Sequence, residues 1–222
     1  MMNEIKSIVL ISKNTSSSKK VFDSLIGYNR NWIMEDEDVF LKLKELNPDL
    51  VVVFHWSKII SKKIYNEFKC LCFHTGNLPQ DRGGSPIQNQ ILNGKKHSKV
   101  NLIDLNDPVD SGDVYCSKEI SLQGSLNDIW ITITETSIIL IKKYLSTKPD
   151  PIPQKGKVTN YRRKTNNNLI IDNIESIHNQ IRMLDGDGYP RTYLDKDGFI
   201  FEFSNSQFKN NEIISTVKIF KK

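Results

Sequence analysis

Three short runs of uninterrupted apolar residues, "IVLI" at 8–11, "LVVVF" at 50–54 and "CLCF" at 70–73, constrain the fold more than any other feature of the chain. Each is strand-length and apolar without alternation, the pattern of a strand covered on both faces. Between them lie helical segments. "SSSKKVFDSLIG" offers serines as caps and Gly27 as a stop, and "DEDVFLKLKELNP" sets Val39, Leu41, Leu43 and Leu46 on an amphipathic helix ending before Pro48. "KKIYNEF" is a shorter helix before the third run. Strands alternating with helices predict βαβ units and a doubly wound, mostly parallel, Rossmann-like α/β sheet.

Downstream, a helix is expected at "SPIQNQILNG", strands at "KVNLIDL" and "DVYCSKEISL", and a long helix from near Asn127 through "IWITITETSIILIKKYLS". The Pro/Lys-rich "TKPDPIPQKGK" reads as a connector, dividing a domain over 1–148 from a small α+β region over 149–222. In that region "ESIHNQIRMLDG" is a helix stopped by Gly186. "YPRTYLD" and "FIFEFS" form a hairpin turning at Lys196, Asp197 and Gly198, and "EIISTVKIF" is a last strand.

With 38% hydrophobic and 9% aromatic residues, the 222-residue chain can build a core. Its 31 basic and 26 acidic residues give a net charge of +5, spread along the sequence, which suits an anionic ligand better than nucleic acid. Three cysteines, Cys70, Cys72 and Cys116, form no closed disulfide framework and fit a reducing cytoplasm. No uncharged apolar run approaches the roughly 18 residues of a membrane span, and "MMNEIKSIVLIS" reads as a first strand, not a signal peptide.

Open parallel sheets bind ligands where strands deliver their carboxyl ends. There "VVVF" delivers His55 and Trp56, and "CLCF" delivers His74; Asp110 and Asp113 lie in the turn-rich "NDPVDSGDVY". A histidine beside a carboxylate suits proton transfer near neutral pH. Gly83 and Gly84 would let backbone approach a ligand, and Arg82 would bind an anion. Each feature also has a plainer use. A strand-end histidine can be structural, and Asp-Ser-Gly-Asp is what a turn requires.

The ordered run "FHTGNLPQDRGGSPIQNQILNG" followed by "VDSGDVY" resembles the formyltransferase family that uses 10-formyltetrahydrofolate, whose pattern is Asn-x-His, Leu-Pro, Arg-Gly-x-x-Pro and later Asp-x-Gly. The match covers about residues 50–115. A weaker likeness of "YRRKT" and "IHNQIRMLDGDGYPRTYL" to the nucleotide-linked amino-sugar N-formyltransferases extends it to about residue 195. The resemblance implies that His74 and Asp110 are catalytic. It implies further that Trp56, Lys58, Ile59 and Ile60 line the folate site, with Pro108 and Val109 closing it from the other side. The implied reaction moves a formyl group to an amine and needs no metal; Cys70, Cys72 and His74 share a strand face but lack the spacing of zinc pairs.

The family's asparagine two residues before the histidine is Cys72 here, and a thiol is a weak donor. Three outcomes stand open: Asn77 supplies the missing donor, charged His74 acts alone, or the protein binds without catalysing. For the acceptor, the family's methionyl-tRNA enzymes carry a larger C-terminal barrel than the residues after the connector provide, so the resemblance favours a sugar nucleotide, a dTDP- or UDP-4-amino-4,6-dideoxyhexose of surface-polysaccharide (O-antigen) synthesis. Arg162, Arg163, Lys164, Arg182 and Tyr189, with Arg82, Gly83 and Gly84, are the candidates to hold it, and Arg182 is the leading one for the pyrophosphate. The partner set is a nucleotide sugar, no nucleic acid, no membrane, and a second copy paired through edge strands in "FIFEFS" and "STVKIF". Formylation of another small amine is the alternative within the same chemistry.

Overall fold

The apolar runs become the middle of a sheet. A computed structural model describes residues 4–35 and 37–222; residues 1–3 and Asp36, the outer ends of the expected first strand and second helix, lie outside the described residues. In chain order the elements are β1 (Ser7–Ile11), α1 (Ser16–Asp23), β2 (Asn29–Ile33), α2 (Val39–Leu46), β3 (Leu50–Val53), α3 (Lys62–Glu67), β4 (Cys70–Thr75), β5 (Arg82–Gly83), α4 (Pro86–Leu92), β6 (His97–Asp104), β7 (Val114–Ser121), α5 (Leu126–Thr147), β8 (Asn160–Tyr161), α6 (Ile174–Arg182), β9 (Thr192–Lys196), β10 (Phe199–Lys209) and β11 (Glu212–Lys221).

Among the described residues the main sheet has six strands in the order β2-β1-β3-β4-β6-β7. β1 pairs in parallel with β2 and β3, and β3 with β4, while β6 runs antiparallel to β4. Val9, Ile11, Val51, Val53, Cys70 and Cys72 face one buried cluster, and Ile8, Leu10, Leu50, Val52 and Leu71 on the other face are buried too, which is why these runs carry no polar alternation.

Local chemistry sets the helix ends. Thr15, not a serine, caps α1 by accepting from Ser18 N, and the helix stops at Asp23, before Gly27. Asp38 caps α2 by accepting from Phe40 N and Leu41 N, and Asn47 closes it in the left-handed region just before Pro48. Strand β2, "NRNWI", escaped the sequence reading because it is an edge strand with only Ile33 buried.

The chain separates into two compact units that interleave in sequence. The first takes the chain up to Arg82 with Lys99–Ile120 and Ile133–Thr159; the second takes Gly83–Ser98, Ser121–Thr132 and Asn160–Lys222. The second unit contains the three-stranded antiparallel sheet β11-β10-β9, with the expected turn at Asp197 and Gly198, and α6 capped by Asn173.

Candidate active site

In the first unit, β4 lies between β3 and β6, with Cys72 opposite Val53 and Ile103 and His74 opposite Asn101. Alternate residues share a face. Cys70, Cys72 and His74 therefore point the same way, and all three are buried. Asn101 fixes the strand's end: its Nδ2 donates to the carbonyls of His74 (3.2 Å) and Gly76 (2.7 Å), and its Oδ1 accepts from Ser117 Oγ (2.8 Å).

His74 meets an acceptor at each ring nitrogen. Nδ1 lies 3.3 Å from Asp110 Oδ1, and Nε2 donates to the Asp81 carbonyl at 2.8 Å. A ring facing acceptors at both nitrogens is satisfied only as the imidazolium. Burial disfavours that charged form, yet the Asp110 carboxylate, with help from Asp81, outweighs it and raises the His74 pKa above the ordinary value.

The backbone around the ring is tightly shaped. A Cβ on Gly76 would lie 2.8 Å from Asp81 Cβ and 3.1 Å from His74 Nε2, and one on Gly112 would lie 1.9 Å from the Asp104 carbonyl. Asp81 and Asp110 both hold left-handed backbone, φ 62° and 60°. Asn77, expected as an oxyanion donor, gives its backbone N–H to Asp81 Oδ2 at 3.0 Å; among the described residues its side-chain amide has no hydrogen-bond partner. Cys72 is a neutral apolar group, its thiol pushed well up by burial first and by the Asp110 charge second. His55 is a different kind of histidine: burial, then the Lys13 charge, push its pKa down to about 4, so it stays neutral.

Trp56, Lys58, Ile59 and Ile60 line a cavity of about 260 Å³ together with Phe40 and Ile64. The Trp56 indole Nε1 is buried without a hydrogen-bond partner among the described residues, as is Ser111 Oγ, next to Asp110 in sequence. Trp56 Nε1, with the aromatic and aliphatic wall around it, fits a flat heterocycle with a polar edge, while Ser111 does not line this cavity. Pro108 and Val109 do not line that cavity and are exposed. Among the described residues no His/Cys/Asp/Glu cluster is placed to hold a metal ion, and no helix is long and apolar enough to cross a membrane.

The residues expected to bind the acceptor are divided. Arg82, in the first unit, is buried and donates through Nε (3.1 Å) and Nη2 (2.7 Å) to Gln154 Oε1, so its partner there is the protein itself. In the second unit Gly83 and Gly84 make room for the chain's own backbone: a Cβ would come 2.5 Å from the Tyr161 carbonyl at Gly83 and 2.9 Å from Arg163 at Gly84. Arg182, the leading pyrophosphate candidate, is instead buried and bonded inward, to Asn179 Oδ1 (2.8 Å) and the carbonyls of Leu122 (2.6 Å) and Gly124 (3.0 Å). Tyr189 OH accepts from Trp130 Nε1 at 3.2 Å. Arg162, Arg163 and Lys164 are exposed, and Lys164 lines a second cavity of about 200 Å³ with Asn166, Asn167, Asn168, Ile170 and Gln180.

Sequence comparison decides what this geometry belongs to. The pattern of the family described as formyl transferase matches residues 10–128, over half of the chain. The chain belongs to the formyl transferase family. Residues 164–220 match the pattern described as the C-terminal domain of methionyl-tRNA formyltransferase. A solved structure titled methionyl-tRNA formyltransferase, from Clostridium thermocellum, superposes with a TM-score of 0.92 at 31% identity, covering 98% of this chain and 100% of that one. A curated methionyl-tRNA formyltransferase from Buchnera aphidicola is 37% identical over 123 residues, 51% of this chain but 39% of its own length, so the chain spans well under two thirds of that relative. A 4-N formyltransferase from Francisella tularensis shares the fold, with a TM-score of 0.66 at 14% identity over 99% of this chain. The family's formyl donor is 10-formyltetrahydrofolate. The C-terminal match contains all of "IRMLDGDGYP" and the last two residues of "YRRKT", segments that in sequence favoured a sugar enzyme, so "IRMLDGDGYP" does not by itself separate the two acceptor classes.

Proposed function

We propose that this protein moves a formyl group from 10-formyltetrahydrofolate to the primary amine of a nucleotide-linked 4-amino-4,6-dideoxyhexose, carried on dTDP or UDP. The observation that carries formyl transfer is the pairing of buried His74, at the end of β4, with the partly buried Asp110. Trp56, Lys58, Ile59 and Ile60 would hold the donor, with Trp56 Nε1 as an unpaired polar group to meet its edge; Pro108 and Val109, outside that cavity, would close on the bound donor from the loop before Asp110. Bound there, the donor supplies an activated formyl group. The exchange replaces one C–N bond by another and moves one proton from the attacking amine to the departing nitrogen. His74, charged by Asp110, stabilises the negative charge that develops on oxygen and relays that proton. Asn77 adds a neutral donor from the following loop.

The sugar-nucleotide acceptor is supported by the fold shared with the Francisella 4-N formyltransferase and by the exposed Arg162, Arg163 and Lys164, basic groups suited to a diphosphate. A second reading, formylation of methionyl-tRNA, is favoured by the match over residues 164–220. The test is incubation with 10-formyltetrahydrofolate and either dTDP- and UDP-amino sugars or charged methionyl-tRNA, read by mass gain of one formyl group. Product with tRNA and none with any sugar refutes the sugar acceptor; no product with either refutes formyl transfer to these amines.

The proposal includes a homodimer. Among the described residues "FIFEFS" falls in β10, the middle strand of its sheet and not an edge, whereas "STVKIF" falls in the edge strand β11, with Ile214 70%, Val217 41% and Phe220 39% exposed. Two-fold antiparallel pairing of β11 with itself needs a residue on the axis. Centred on Val217, it sets Ile214 against the partner's Phe220 and Glu212 against the partner's Lys222.

A further inference from the structure

Gln154 lies in the Pro/Lys-rich stretch that reads as a connector, yet its side chain makes four hydrogen bonds. Nε2 donates to the carbonyls of Asp110 (2.9 Å) and Gly112 (2.7 Å), and Oε1 accepts from Nε (3.1 Å) and Nη2 (2.7 Å) of Arg82. Two donors and two lone pairs are all that a primary amide has, so the group is fully used. The segments it joins are the two that bound His74. The Asp110–Gly112 loop brings the carboxylate to Nδ1, and the residue before Arg82 brings the carbonyl to Nε2.

Thr159, five residues on, clamps the same loop: its Oγ1 accepts from Asp81 N and its carbonyl from Arg82 N, both at 3.1 Å. Asp110 and Asp81 both sit in left-handed backbone, a conformation that persists at non-glycine residues only where the surroundings enforce it. For Asp110, the bonds from Gln154 are that enforcement. No other side chain of this length fits both needs. Glutamate would turn an oxygen on two carbonyls, lysine would lose the acceptor for Arg82, and asparagine is one methylene short.

We propose that Gln154 is a positioning residue, holding Asp110 where its carboxylate keeps His74 charged. The inference rests on the reading of His74 and Asp110 as the reacting pair. The test uses the full chain with Gln154→Met, which matches the length and forms none of the bonds. By NMR of the histidine side chains, the His74 titration midpoint is expected to move down, a change that a merely structural role would not produce. With the amine that the wild type formylates, kcat is expected to fall on the order of tenfold to a hundredfold with KM little changed, as for a small misplacement of a catalytic group. In an Asp110→Asn background the same substitution is expected to add under about threefold, because residues acting as a unit are not additive. An unmoved His74 midpoint, or losses that multiply in the double variant, overturns the proposal. If Gln154→Met does not fold, the shorter, uncharged Gln154→Leu removes the same bonds and is judged by the same midpoint. The titration needs no substrate. A moved midpoint in a protein that formylates no amine leaves the positioning role standing and refutes the formyltransferase reading.

Discussion

Replacing Asp110 by asparagine tests the charge on His74 most directly. The two side chains are 6% and 14% exposed, so solvent screens their interaction little. A hydrogen bond to a charged group contributes about 1.5–3 kcal/mol. The Nδ1–Oδ1 distance of 3.3 Å is long for such a bond, which argues for the lower half, about 1.5–2 kcal/mol. At about 1.4 kcal/mol per tenfold, this is roughly a 10–30-fold change in the preference for the imidazolium. The His74 pKa is raised in the folded protein, so the stabilisation is fully present below the unfolded histidine value of 6.5 and is lost as pH rises through the folded midpoint. The wild type should therefore exceed Asp110→Asn in unfolding free energy by about 1.5–2 kcal/mol below that lower value, and by little well above the folded midpoint. Denaturant unfolding at several pH values reads the difference. The basic limb of the formyl-transfer pH profile should shift to lower pH in the variant. A stability difference that does not change with pH would refute the idea that Asp110 holds His74 charged.

Four further expectations follow from particular residues. Asn77→Ala should leave the melting temperature nearly unchanged, since the amide has no partner among the described residues, yet lower turnover by about 10²-fold or more if it supplies the missing donor; Cys72→Asn, which buries an amide in an apolar cluster, should cost about 1–3 kcal/mol, and a large rise in turnover there would show that nothing compensates for the thiol. Arg182→Met should destabilise by about 2–4 kcal/mol by leaving two carbonyls without their donor, and an acceptor KM raised tenfold without that loss would restore the pyrophosphate role. Val217→Lys should give a monomer by sedimentation if two copies pair across β11, and an unchanged mass rules that register out.

The parts legible in the sequence are those where one short segment carries the whole physical cause. A strand buried on both faces must be apolar throughout, so β3 and β4 were visible, and with them the delivery of His74. Helix α2 announced its stop through Pro48. The illegible parts depend on pairings distant in sequence. Among the described residues β2 is an edge strand with only Ile33 buried, and its Trp32 is placed by stacking on Phe22 and donating to Ser12, neither of which a local pattern reveals. Arg182 looked like an anion ligand because arginine at a helix end usually meets solvent; here three oxygens of its own chain surround it. Gln154 contacts Asp110 across 44 residues and Arg82 across 72, and proline and lysine around it suggested only a linker.

The same geometry bears on Cys72. Its neutral thiol packs in the apolar cluster and offers at most a weak S–H donor to a developing oxyanion. His74 offers two N–H groups, one held by Asp110 and one by the Asp81 carbonyl. In the proposed mechanism the Asp110 side must remain for the ring to stay charged, so the Nε2 proton is the one that would be available for catalysis. An amide carbonyl is a neutral acceptor, and an oxygen gaining negative charge forms a bond roughly twice as strong. Exchanging the first for the second is therefore weakly favourable at best with a ground-state carbonyl and becomes strongly favourable as charge develops. That difference is selective stabilisation of the transition state, the only kind that raises kcat. It requires the Asp81 carbonyl to yield its place. Gly76, where a Cβ would press on both Asp81 and His74, is the residue whose replacement by alanine most directly disturbs that exchange.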